Sequence, residues 1–225
     1  MRVPAKVASL LRQIGRLAAS RGEQAYAVGG CVRDWLLDAS RLVDVDVCVE
    51  GDGIAFAREA AQALKAGVVV HDQFGTATLT RARGGSRIDI AGCRRETYRE
   101  PAAYPKVAPG TLRDDLFRRD FTVNAMAMSL SPVTFGRLID EFGGLRDLRA
   151  KRLRVLHPKS FLDDPSRILR AARFAPRYGL TLEPKTAARL RQAVAAGMLS
   201  RLNRGRIRKE LAAMLREPQP VACWA

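Results

Sequence analysis

The stretch Val43-Asp44-Val45-Asp46-Val47-Cys48-Val49-Glu50 alternates without a break, valine at each odd position and a polar or small side chain at each even one. Successive side chains on a strand point to opposite faces, so the pattern predicts a half-buried strand over 43–50 with the four valines inward. Asp44 and Asp46 then share the outer face, about 6–7 Å apart at Cα. Two carboxylates so spaced suit a pair of hard divalent cations, which take oxygen ligands and keep positions open for phosphate oxygens. Two solvated acids on an edge strand give the same pattern, so the neighbouring sequence decides between them.

Upstream, Val7, Leu10, Leu11, Ile14, Leu17 and Ala18 recur at helical spacing, which predicts an amphipathic helix from 4 to about 20, ended by Gly22. Gln24 to Val28 reads as a strand running into Gly29-Gly30, and Cys31 to Leu37 as a helix start. Downstream, a helix runs from Gly53 to about Lys65. Strands follow at Gly67–His71 and Phe74–Thr80, then a basic stretch from Arg81 to Gly85, then a strand at Arg87–Ala91. From Gly92 to Gly110 the periodicity dissolves among Pro101, Pro105, Pro109 and several basic residues, and a long mobile loop is expected. Beyond Leu112 the pattern is helical with strand pieces at Arg137–Asp140 and Arg152–Leu156. After Pro158 helices are expected at Pro165–Tyr178, Pro184–Ala196 and Arg204–Leu215. The fold class is α+β, a mixed head over 1–157 and an all-helical region over 158–225.

Three groups of residues raise the standing of the acid pair. Gly29-Gly30-Cys31-Val32-Arg33-Asp34 places a glycine turn between strand and helix, where the backbone can approach a triphosphate. Asp89, flanked by Ile88 and Ile90, projects from the polar face of a strand as a third carboxylate, fit to complete a metal cluster or to accept a proton from an RNA 3′-hydroxyl. Arg118, Arg119, Asp120 and Asn124 combine guanidinium forks, an acid and an amide, a set able to clamp phosphates and a ribose. Farther on, Asp164 and Arg167 stand i, i+3 at a helix start and share a face. Together they offer acceptors and a donor fork, enough to tell bases apart. Arg170 and Arg173 continue that stripe, either toward phosphates or into solvent.

The 225 residues carry 39 Lys+Arg against 23 Asp+Glu, a net charge of +16, and arginine dominates the basic set. A field of that sign and size favours a polyanionic partner such as nucleic acid. Cys31, Cys48, Cys93 and Cys223 form no CxxC pair, and His71 and His157 lie far from them, which argues against structural zinc. Their scatter predicts reduced, mostly buried thiols and a cytoplasmic setting. No apolar run approaches the roughly 18 residues of a membrane span, and neither a signal peptide nor an anchor is expected.

Read in order, the glycine turn, the acid pair, Asp89, Arg118–Ala127, Asp140–Leu148 and Asp163–Phe174 resemble the class II tRNA nucleotidyltransferase and bacterial poly(A) polymerase family, among the polymerase-β-like nucleotidyltransferases. The resemblance runs from about Tyr26 to Leu215, and the stretch Asp44–Ala57 is similar to the branch that includes A-adding enzymes. It implies a polymerase-β-like head with a small mixed sheet and a helical neck. It implies Asp44 and Asp46 as metal ligands, with Asp89 catalytic beside them, for Mg²⁺, two ions, with Mn²⁺ as a substitute. It implies Gly29, Gly30, Arg33 and Asp34 at the triphosphate, Arg119, Asp120 and Asn124 at ribose and phosphates, and Asp164 and Arg167 as an amino-acid template for ATP or CTP. It assigns Asp140, Gly143, Gly144 and Asp147 to the segment joining head and neck, and 92–110 to a nucleotide-selecting loop. The implied reaction is transfer of AMP, and of CMP in some members, to an RNA 3′ end, tRNA foremost. Poly(A) addition to varied RNA and an idle RNA-binding relative are the rival expectations. Asp163 stands where the family usually has Glu, and Gly205 where a later helix usually has an acid. The family pattern continues into helical body and tail regions past the neck, so the chain reads as head and partial neck of that pattern.

Overall fold

The computed structural model describes residues 1–38, 44–80 and 87–224. Val43 and the basic stretch Arg81–Gly85 lie outside the described residues. Two compact units form. One comprises Met1–Arg95, Val107–Arg119 and Asn124–Phe142; the other comprises Glu96–Lys106, Asp120–Val123 and Gly143–Ala225.

The first unit begins with α1 (Ala5–Ser20), which buries Val7, Leu10, Leu11, Ile14 and Ala18, the face its periodicity predicts. Then come β1 (Ala25–Val28), α2 (Gly30–Leu36), β2 (Val45–Val49) and α3 (Gly53–Leu64). Asp52 caps α3 by accepting from the Ile54 and Ala55 N–H groups at 3.0 Å, satisfying two of the amides a helix start leaves free. Gly53 has a separate reason: a Cβ there would sit 2.1 Å from the Gly92 nitrogen. Strands β3 (Gly67–His71), β4 (Thr76–Thr80) and β5 (Ile88–Gly92) follow, then β6 (Arg94–Thr97) and β7 (Lys106–Pro109), of which Glu96, Thr97 and Lys106 are counted with the second unit. The unit continues through α4 (Leu112–Phe117), β8 (Ala127–Ser129) and β9 (Leu138–Ile139).

Seven strands make one mixed sheet in the order β3-β4-β5-β2-β1-β8-β9. Only β2 and β5 run parallel, with Asp46 opposite Asp89 in register; the other pairs are antiparallel. The acid-bearing strand is therefore central, which disposes of the edge-strand alternative. It is shorter than its alternation predicts: Asp44 precedes it, and within it Asp46 alone is exposed. Cys48 was expected on the open face but is 2% exposed, because it is bonded to Cys93. That bridge corrects the expectation of reduced thiols. The parallel register brings the two Cα atoms to 5.5 Å, within the range a disulfide spans. A separation of 45 residues hid this from the sequence; Cys31 and Cys223 are free and buried.

The expected loop at 92–110 is also corrected. Its ends pair as the two-stranded β6–β7 sheet. The prolines that suggested a loop fall between the strands or at the last residue of β7, where no N–H is needed for the ladder.

The second unit contains α5 (Gly144–Arg149), β10 (Arg152–Leu153), α6 (Ser160–Asp163), α7 (Ser166–Tyr178), β11 (Thr181–Leu182), α8 (Pro184–Ala195) and α9 (Arg204–Leu215). Phe121 packs edge-on against Phe174 at 6.1 Å between ring centroids, a favoured aromatic geometry. Asp147 accepts from Thr122 and from Arg154, both at 2.7 Å. Among the described residues no helix is long and apolar enough to cross a membrane.

Candidate active site

A recess of about 270 Å³ in the first unit is lined by Asp46, Asp89, Arg94, Asp115, Arg118 and Arg119, among others. Strand register supplies two of its acids: β2 and β5 present Asp46 and Asp89 side by side. The Asp46 carboxyl reaches solvent, yet protein atoms crowd around it. That desolvation raises its pKa above the ordinary carboxylate value. Arg119 pulls the other way, and the charges of Asp89, Asp44 and Asp115 raise it further. Asp44 lies at the strand entry, exposed. Asp89 accepts from the Thr78 hydroxyl at 2.6 Å and from Arg87 Nε at 3.1 Å.

The cationic wall comes from the end of α4. Asp115, 1% exposed, accepts from Arg118 at 2.7 and 2.9 Å and from Arg119 at 2.9 Å. Burial pushes the Asp115 pKa up, but Arg119 and Arg118 outweigh it and hold the group below the usual carboxylate range. Its role is to fix both guanidinium groups, and the sequence reading missed it. The i, i+3 and i, i+4 spacing of Asp115 from Arg118 and Arg119 was the signal available. Arg94, also missed, donates to the Phe74 carbonyl at 3.1 Å. Its position beside the acids follows from β5 and β2 pairing and has no local signature.

Gly29 belongs to the same wall. Its φ is +80°, and a Cβ would lie 2.3 Å from Arg119 Nη1. Only glycine suits both the left-handed backbone and the guanidinium pressed against it. Gly30 begins α2. Arg33 and Asp34 are turned inward: Arg33 pairs with Asp34 at 2.8 Å and donates to the Asn124 side chain. All three are buried, so they brace the glycine turn from behind.

In the second unit Asp164 and Arg167 stand 4.0 Å apart at the start of α7. Asp164 Oδ1 accepts from the Ser166 N–H and hydroxyl at 3.0 and 2.5 Å and pairs with Arg206 at 2.5 Å. Arg167, 4% exposed, donates to the Ser160 hydroxyl at 2.5 Å. Arg206 thus holds the acid without the side chain that Gly205 lacks. Tyr98, absent from the sequence reading, lies close enough to feel both charges; burial raises its pKa foremost, with Glu96 adding and Arg167 opposing.

Arg170 and Arg173 are both engaged by acids of the second unit. Arg170 clamps Asp120 at 2.5 and 2.8 Å and reaches Glu210 at 3.3 Å. Arg173 pairs with Glu210 and Glu217, each at 3.4 Å, and Arg177 with Glu217 at 2.9 Å. The Glu210 pairs tie α7 to α9, and Glu217 lies just past the end of α9. Asp120, 7% exposed, is one rung of that ladder.

The recess can hold hard cations between carboxylates and phosphates against arginines. Its donors are oxygens, and a bound cation would offset the desolvation of Asp46 and the like charges beside it. Among the described residues no three acids, histidines or cysteines close a metal cage by themselves. Asp89, expected either to complete such a cluster or to act as a base, accepts from Thr78 and Arg87.

Comparison with known proteins finds similar chains. The family model described as the Poly A polymerase head domain matches residues 25–154. An A-adding tRNA nucleotidyltransferase of Aquifex aeolicus is 52% identical over 86% of this chain and 23% of its own length. A CC-adding tRNA nucleotidyltransferase of Deinococcus radiodurans is 40% identical over 93% of this chain and 54% of its own. The solved structure of a Thermotoga maritima CCA-adding enzyme complexed with tRNA superposes with a TM-score of 0.86 at 44% identity, over 99% of this chain and 50% of that one. The chain thus spans between about a quarter and about half of the length of these relatives.

Proposed function

Since the chain belongs to the Poly A polymerase head domain family, we propose that it transfers AMP, and in a variant reading CMP, from a nucleoside triphosphate to an RNA 3′-hydroxyl, with tRNA as acceptor. The observation that carries this reading is the recess in which Asp46 and Asp89 pair by register opposite Arg118 and Arg119. In this reading residues 1–157 supply the catalytic head and 158–225 the helical neck, at work in the cytoplasm.

Asp44 and Asp46 would hold Mg²⁺, or Mn²⁺ in its place, which supplies charge neutralisation at the transferring phosphate and lowers the pKa of the attacking hydroxyl. The chain's own residues do the rest. Arg119, fixed by Asp115 and lying over Gly29, takes phosphate oxygens, while Gly29 and Gly30 let the backbone come close. Asp89 orients the RNA 3′-hydroxyl and accepts its proton. Asn124, Arg33 and Asp34 keep the glycine turn in place. Asp164 and Arg167 read the base. Asp120, Arg170 and Arg173 act on the nucleotide only through the geometry of α7. Positioning and fixed charge supply most of the acceleration.

The test uses tRNAs lacking the whole CCA end, lacking only the terminal A, or complete, each with labelled ATP or CTP. Addition of one A to the tRNA lacking it is the expected result. Long A tracts on any RNA would favour poly(A) polymerase, and RNA binding with no incorporation would defeat the enzymatic reading.

A further inference from the structure

A row of polar side chains crosses the sheet behind the recess. Asp46 on β2 faces Asp89 on β5, and Asp89 faces Thr78 on β4, each pair directly opposite in register. On β3, His71 lies opposite Thr76 and therefore diagonal to Thr78, within reach of a long side chain on the same face. Thr78 is 8% exposed in a strand whose inner positions are otherwise apolar. Its hydroxyl donates to Asp89 Oδ1 at 2.6 Å, and His71 Nε2 lies 3.3 Å from the same hydroxyl oxygen.

We propose that Thr78 is a positioning residue for Asp89, with His71 fixing the direction of its hydroxyl. A hydroxyl has one proton to give and lone pairs to accept with. Donation to Asp89 leaves Thr78 able to accept from an Nε2–H of His71, so the imidazole sets which way the hydroxyl points. Arg87 Nε lies 3.1 Å from both Asp89 oxygens and does not choose between them. Thr78 does: it engages Oδ1 and leaves Oδ2 for the reacting hydroxyl. The inference rests on the proposed role of Asp89 and adds what holds it.

The test compares Thr78→Val, which keeps the shape and removes the hydroxyl, with Thr78→Ser, which keeps the hydroxyl. Thr78→Val is expected to lower kcat roughly tenfold to a hundredfold with KM for ATP nearly unchanged, since small misplacement of a reacting group has effects of that order. Thr78→Ser is expected to recover most of the loss, and His71→Ala to show a smaller one. Crystal structures of both Thr78 variants supply a readout apart from activity: Asp89 changes rotamer in Thr78→Val and keeps it in Thr78→Ser. An unmoved Asp89 in Thr78→Val, or equal impairment by Val and Ser, overturns the proposal. Absence of incorporation by the parent protein defeats the functional reading instead, and the rotamer comparison still decides the role of Thr78.

Discussion

In the recess of the first unit Asp46 stands among Asp44, Asp89 and Asp115, and its pKa is raised. In the second unit Asp120, Glu210 and Glu217 are each matched by an arginine of α7. Among the described residues no ion pair or side-chain hydrogen bond reaches the Asp46 carboxylate. Glu217, by contrast, takes two guanidinium groups while its side chain is only 6% exposed. A buried charge that is fully paired holds elements in one geometry, though a well-packed apolar set of the same volume often does so as well. An acid such as Asp46, desolvated and beside like charges with no ion pair of its own, destabilises the fold, and its retention points to a ligand that supplies positive charge. The difference separates a site from a strut.

Four experiments break or sharpen that contrast. Asp46→Ala is expected to reduce AMP incorporation by at least about a thousandfold. The melting temperature should stay level or rise, because a crowded like charge is gone. A large loss of stability in this variant would make Asp46 structural and erase the contrast. Glu217→Ala should do the reverse, lowering stability by about 3 kcal/mol as Arg173 and Arg177 lose their acid. Denaturant unfolding reads this; a change near zero would mean the ladder carries little.

His157 offers a finer probe inside the second unit. Burial, then the charges of Arg167, Arg189 and Lys159, push its pKa from 6.5 down to about 4. The unfolded chain therefore binds a proton more readily than the folded one between those values. Its contribution to stability is complete above about pH 6.5 and is lost as pH falls toward about 4, on the order of 2–3 kcal/mol. His157→Gln should flatten that acid limb in pH-dependent unfolding; an unchanged limb would place the titration elsewhere. The smallest effect concerns the floor of the recess. With Cys48 bonded to Cys93, denatured unreduced protein should yield the two thiols of Cys31 and Cys223. Four thiols would mean that register alone aligns β2 with β5, as expected in a reducing compartment.

Asp46 and Asp89 show how far local pattern carried. Alternation placed Asp46 on an open strand face and flanking isoleucines placed Asp89 likewise, and β2 and β5 bear both out. Arg170 and Arg173 show where it stops. Their i, i+3 spacing correctly put them on one helical stripe, but spacing does not say what that stripe meets, and it meets Glu210 and Glu217. Gly205 stands where the family usually has an acid, and beside it Arg206 pairs with Asp164, a contact that spacing did not reveal.

The sequence by itself determined the longer helices, the strand that carries Asp46 and the family resemblance, because side-chain period and motif order are properties of neighbours along the chain. Tertiary structure alone decided that β2 is central, that Asp46 meets Asp89, that Cys48 meets Cys93, and which acids the arginines of α7 meet. Those outcomes depend on parallel register between strands far apart in sequence, and on which acid reaches each guanidinium first once the helices have packed.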